Sequence, residues 1–205
     1  MQRHFRRLTA AIGVAAAVAV AAPAAVAAAG DDGPAVAGKG PAKSGLTAAQ
    51  ELARPAFKMP FRCNQTWVGS NWSGHSPAHS IDWNHYDADG NMDDLGRVVL
   101  ASAPGTVSAS YYSTGDGYGN TVVIDHGDGW QTRYAHLKTR AVSRGDRVGQ
   151  GQKVGQVGAT SATGDFTPHL HYEQIHGGSV VVSVVQGVTW GDFLKREQVS
   201  RNNCG

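Results

Sequence analysis

The chain has 205 residues, 18 basic and 16 acidic, with 41% hydrophobic residues and 27 glycines. Removing Arg3, Arg6 and Arg7 with the leader described below leaves 15 basic against 16 acidic residues, with no Lys/Arg run. A near-neutral domain without a basic stripe has no electrostatic footprint for nucleic acid, which excludes that class of partner.

From the N-terminus, Met1–Leu8 is basic without an acidic residue, and Thr9 to about Val26 is an apolar stretch dominated by Ala and Val. Small residues Ala27–Ala29 follow. A basic start, a short apolar run and a small-residue exit describe a secretory signal peptide over 1–29. The expectation is therefore a secreted protein that keeps no membrane segment once the leader is cleaved. Residues 30–56 read as a disordered linker or short propeptide, because Gly30–Gly45 has no hydrophobic period to offset the entropy of ordering. Leu46–Leu52 predicts a short helix with Thr47 as its cap, halted by Pro55 and Pro60. The folded domain is expected over 57–205.

Inside that domain the pattern is strand-like and punctuated by glycine. Arg97–Ser110 reads as two short strands around Ala103-Pro104-Gly105. Thr121–Ile124 and Trp130–Ala135 read as strands joined by the hairpin signal His126-Gly127-Asp128-Gly129. Further short strands are expected around Arg147-Val148, Lys153–Val157, Leu170–Ile175 and Val180–Val185. After Leu52 only Gly191–Val199 hints at a 3.6-residue period. The predicted architecture is all-β and mainly antiparallel: a twisted sheet or open barrel-like sandwich with long Gly-rich loops and little helix. Cys63 and Cys204 are the only cysteines. Export permits a disulfide between them, which would close nearly the whole domain into one loop.

Eight histidines lie beyond the leader. In Pro168-His169-Leu170-His171-Tyr172-Glu173, a strand would point His169 and His171 to one face and Leu170 to the core. That suits a metal ligand beside an acid/base group, and equally a solvated surface strand. His136 ends the Trp130–Ala135 strand, where alternation would put it on the face of Tyr134; a structural role is as consistent as a catalytic one. Asp82, between Ile81 and Trp83, reads as a half-buried carboxylate that needs a partner, of which a metal is one and a turn amide another.

The ordered set His…Asp, Tyr134-Ala135-His136-Leu137 and His169-Leu170-His171-Tyr172-Glu173 resembles the lysostaphin-like (LytM-type) zinc metalloendopeptidases. Ala103-Pro104-Gly105-Thr106-Val107, Gly117-Tyr118-Gly119-Asn120 and Val154-Gly155-Gln156-Val157-Gly158 add to the likeness, and Pro60-Phe61-Arg62-Cys63 is similar to the β-lytic branch. The resemblance implies one zinc ion per chain held by His75, Asp82 and His171, with His136 and His169 as the catalytic histidines. The usual family spacing is His, three residues, Asp. His79 has two residues before Asp82 and His75 has six, so His75 is preferred for its Gly74-His75-Ser76-Pro77 setting and His79 is the alternative. The resemblance also implies a peptidoglycan hydrolase cutting peptide stems or cross-bridges of the cell wall, and a monomer is the default expectation for a small secreted hydrolase. Its alternatives are a wall-binding module of the same fold without activity, or a zinc amidase. The Gly-rich segments Ser113–Gly119 and Ala159–Gly164 predict an open site that admits an extended peptide.

Overall fold

The computed structural model describes residues 45–72 and 74–205; the expected leader and the linker up to residue 44 lie outside the described residues. The helix over Leu46–Leu52 is present as α1 (Ala48–Leu52), opened by a reciprocal capping box between Thr47 and Gln50. Its five residues bury nothing. What anchors the segment is Arg54, whose guanidinium lies 4.4 Å from the Trp130 ring centroid and donates to Gln174 Oε1 and the Val182 carbonyl.

The rest is strand. In chain order these are β1 (Thr66–Ser70), β2 (Ile81–Asn84), β3 (Val98–Leu100), β4 (Gly105–Ser113), β5 (Gly119–Gly127), β6 (Trp130–Ala135) and β7 (Thr139–Arg140), then β8 (Arg147–Val148), β9 (Lys153–Gln156), β10 (Leu170–His176), β11 (Ser179–Val181), β12 (Ser183–Val185), β13 (Val188–Trp190) and β14 (Lys195–Val199). The main sheet runs β14-β1-β2-β10-β6-β5-β4-β8, with β11 extending from β10. A smaller sheet β3-β9-β7 and a hairpin β12-β13 complete the set. The all-β, antiparallel expectation holds, and no barrel closes among the described residues.

Two local expectations differ from the structure. Gly191–Val199 forms no helix: Lys195–Val199 is the edge strand β14, paired along β1 with alternating exposure. Its inward side chains cover an indole, since Arg196 lies 4.3 Å from the Trp190 ring and Gln198 accepts the Trp190 Nε1 hydrogen. A period-2 edge strand with a three-residue approach mimics a short helical period. Val180–Val185 divides into β11 and β12, which pair with different partners.

The register of the central strands separates two faces. Tyr172 lies opposite Tyr134 and Ile81, and Leu170 opposite Trp83. These side chains join Phe61, Trp67, Leu137 and Trp190 in one core in which the large aromatics are fully buried. Phe61 stacks on Trp67 at 3.5 Å, and Trp190 packs edge-on against Trp83. Gly69 permits that packing: a Cβ there would stand 2.5 Å from the Trp190 ring and 2.9 Å from Trp83. Each such buried side chain contributes about 1.5–3 kcal/mol of transfer free energy. On the opposite face the same pairing aligns His171 with Asp82 and Glu173 with Arg133. The Cys63–Cys204 disulfide is formed, next to the antiparallel contacts Asn64 N–H to Ser200 O and Ser200 N–H to Gln65 O.

Candidate metal centre and cleft

Asp82 on β2 and His171 on β10 are direct cross-strand neighbours, so their side chains meet without any loop to place them. His171 Nδ1 lies 3.0 Å from Asp82 Oδ1. The other carboxylate oxygen, Oδ2, is 3.2 Å from His75 Nε2. His75 arrives on the loop between β1 and β2, where Asn71 Nδ2 donates to the Ser80 carbonyl and the His75 N–H to the Trp72 carbonyl. One donor atom from each of His75, Asp82 and His171 falls within 4.8 Å of the other two. His79 does not join them; it pairs with Asp192 at 2.9 Å. Of the two candidate first ligands, the structure therefore brings His75 to Asp82.

His169 and His136 complete a ring of imidazoles. His169 stands just before β10, with Nδ1 2.7 Å from the Thr167 carbonyl and Nε2 3.7 Å from Asp82 Oδ2. His136 has Nδ1 2.9 Å from the Thr160 carbonyl. A carbonyl only accepts, so both histidines carry their proton on Nδ1 and are left with a bare Nε2 when neutral. Their ring centroids are 4.7 Å apart, and His136 is 5.7 Å from His171. The alternation argument for His136 fails. The strand ends at Ala135 and His136 takes φ +57°, its N–H bound to the Tyr118 carbonyl. That left-handed residue turns the imidazole away from Tyr134, which stays in the core with its hydroxyl on Ser102 N–H.

The electrostatics follow from burial and pairing. Burial alone would raise Asp82, but His171 and His75 on its oxygens hold it well below the usual carboxylate range. Burial opposes charge on His171, yet Asp82 on Nδ1 and Glu173 on Nε2 push it up to about 9. Burial presses His136 down to about 4, against the pull of the Thr160 carbonyl. Asp82 thus favours a positive partner, and His136 stays neutral near pH 7. Two imidazole nitrogens and one carboxylate, converging and open on one side, are the donor chemistry of a catalytic zinc site, and these residues fit such an ion.

Around the centre lies an open cleft of about 810 Å³, including its solvent-filled mouth. Trp72, half exposed, packs on His75 at 4.2 Å; Phe166 packs on His136 at 4.7 Å. Asp116–Tyr118 and Thr163, from the two Gly-rich loops expected to border an open site, line it. A second concavity shares Trp72, Asp82, Phe166 and His169 and extends the groove toward Met92. Of the three tryptophans on or near β1 and β2, Trp67 and Trp83 are core and Trp72 faces the cleft.

Residues 85–183 match the family model described as Peptidase family M23. Over those 99 residues, just under half of its length, the chain is similar to the M23 peptidases. The match takes in His136, His169 and His171, while His75 and Asp82 lie upstream of it and are tied to the site by geometry. Peptidoglycan DD-endopeptidase ShyC of Vibrio cholerae serotype O1 is 41% identical over 85 residues, covering 41% of this chain and 18% of that protein. Peptidoglycan DD-endopeptidase ShyA of the same organism is 33% identical over 106 residues, 46% of this chain and 24% of that protein. The matched stretch is thus less than a quarter of these curated relatives. The solved structure of the M23 metalloprotease pseudoalterin from the deep sea superposes with a TM-score of 0.51 at 19% identity, over 72% of this chain and 96% of that one, and shares the fold.

Arg133 took no part in the sequence reading of the site, and Tyr118, Thr160 and Glu173 entered it only as members of a motif or a Gly-rich segment. Nothing in the local pattern marks Thr160, because its contribution is a backbone carbonyl. Arg133 and Glu173 become neighbours only through the β6–β10 register.

Proposed function

We propose that this protein is an exported, zinc-dependent endopeptidase that hydrolyses peptide bonds in the stems or cross-bridges of cell-wall peptidoglycan, acting as a monomer in the wall. The observation that carries the reading is the convergence of His75, Asp82 and His171 within 4.8 Å beside two further imidazoles, in a groove open to an extended chain. The similarity to named peptidoglycan DD-endopeptidases supports the substrate class.

His75, Asp82 and His171 would hold the zinc. When bound, the ion supplies a Lewis acid that polarises a carbonyl and makes a nearby water easier to deprotonate. His169 is the general base: its bare Nε2 opens on the cleft beside the donor set, and the proton it takes is held next to the Asp82 carboxylate. The same Nε2–H then protonates the departing amine. His136, neutral and with its only proton spent on Thr160, orients the attacking water as a hydrogen-bond acceptor. Donation from His136 to an oxyanion would require a second proton, which its burial opposes. Trp72 and Phe166 flank the scissile region and exclude bulk water from its two sides.

The test is metal content by mass spectrometry together with digestion of purified peptidoglycan, for wild type, Asp82→Ala, His75→Ala and His79→Ala. About one zinc per chain, lost with Asp82 and His75 but kept with His79, and new amino termini from wild type alone and His79→Ala, are expected. Co-sedimentation with wall and no new amino termini would leave a binding module instead. New termini that are solely the first residue of the stem would identify an amidase.

A further inference from the structure

Glu173 has no step in the proposed chemistry, yet its side chain is completely buried on the site face of β10. Every contact it makes is to a donor. Oε1 accepts the His171 Nε2 hydrogen at 3.0 Å and the Tyr118 hydroxyl at 2.6 Å, and Oε2 accepts from an Arg133 guanidinium nitrogen at 2.9 Å. Arg133 lies directly across the β6–β10 ladder and sits 4.5 Å from the Tyr118 ring centroid. It makes this contact while its own Nε is buried without a partner. A buried ion pair is in general a weak stabiliser, so stability alone is a poor account of the arrangement.

The orientation of the pair has a chemical consequence. An ionised carboxylate can only accept, so when a cation replaces the proton that His171 Nδ1 shares with Asp82, Glu173 keeps the remaining proton on Nε2 and Nδ1 is the atom that offers its lone pair. We propose that Glu173, clamped by Arg133 and Tyr118, is the positioning residue that fixes His171 as an Nδ1 metal ligand, with Tyr118 joining this brace to the cleft wall. The inference rests on His75, Asp82 and His171 being the zinc site.

Glu173→Gln tests it without changing size. Arg133 has no acceptor, so the new amide turns its oxygen to Arg133 and its NH2 to His171. His171 must then accept at Nε2 and carry its proton on Nδ1, where the metal would bind. Zinc affinity, read by chelator competition on the full chain, is expected to fall roughly 10- to 100-fold, with a changed visible spectrum in the cobalt-loaded protein. Adding Arg133→Met frees the amide to turn its oxygen back to His171 and Tyr118, so the double variant should recover part of the lost affinity. A merely structural role predicts the opposite, because the double variant loses more contacts. Tyr118→Phe keeps the ring and removes one donor to Oε1; it should weaken zinc several-fold and stands in if Glu173→Gln does not fold.

Unchanged affinity in Glu173→Gln or Tyr118→Phe, or a double variant weaker than the single, overturns the positioning role while wild type still binds zinc through Asp82. Wild type and Asp82→Ala binding zinc alike, or neither binding it, overturns the zinc site itself and the inference with it.

Discussion

Gly158 is where backbone packing and the proposed chemistry meet. It lies between the two catalytic candidates: its carbonyl accepts the His169 N–H, and it forms an isolated bridge with that residue. A Cβ at Gly158 would stand 2.3 Å from the Lys138 nitrogen and 2.6 Å from the His136 carbonyl oxygen. Both are backbone atoms, so no side-chain rotation relieves the overlap, and the segments must part by about 1 Å to reach normal contact. Overpacking of this kind costs about 1–3 kcal/mol, which for a domain near 150 residues lowers Tm by roughly 3–10 °C. The same 1 Å separates His136 from His169, and a misplacement of that size costs about 100-fold in rate. Gly158→Ala should therefore lose peptidoglycan cleavage about 100-fold in kcat, measured well below its own Tm, while keeping its zinc. Gly105→Ala is the control: its Cβ would meet the Asp125 carbonyl oxygen at 2.4 Å, on strands outside the cleft. It should lose comparable stability and keep its activity. Wild-type kcat in Gly158→Ala, or an equal loss in Gly105→Ala, would refute the reasoning.

Other outcomes follow from the same structure. His136→Ala and His169→Ala should each retain zinc and lose about 10²- to 10⁴-fold in cleavage; near-wild-type cleavage with zinc bound would remove them from the mechanism. Replacing both Cys63 and Cys204 by serine opens a loop spanning 141 residues in sequence, which chain entropy values at about 5 kcal/mol; calorimetry should show a Tm loss above 10 °C, and a loss of a few degrees would mean that strain or residual unfolded structure offsets the entropy. His126, bonded to the Pro104 carbonyl and Thr132, is lowered from 6.5 chiefly by burial. Below about pH 6.5 the unfolded chain then binds a proton that the folded one refuses, so His126 contributes stability above that pH and loses it as pH falls toward the folded value. His126→Gln should flatten the Tm profile on the acid side as pH falls below about 6.5; an unchanged slope would show that His126 is not its source.

The chemistry of this protein is largely local in sequence. His169 and His171 fall on either side of Leu170 because a strand alternates, and that period places one residue in the core and leaves two imidazoles beside Asp82. The strands β4, β5, β6, β9 and β10 were visible as apolar, β-branched runs between glycines for the same reason. What short-range pattern could not supply is everything decided by register and by special backbone geometry. Asp82 meets His171 across 89 residues only because β2 and β10 pair as they do. His75, not His79, reaches Asp82 through the path of a loop whose spacing to Asp82 pointed to neither. His136 reaches the site by leaving the strand at positive φ, against the alternation that its own neighbours obey. The buried set of Glu173, Arg133 and Tyr118 is likewise a product of pairing, because a carboxylate acquires its partners from whichever strand lies opposite. Residue type and period thus determined which groups are available, and the tertiary structure decided which of them touch, since contact across a sheet depends on register and chain path rather than on distance along the sequence.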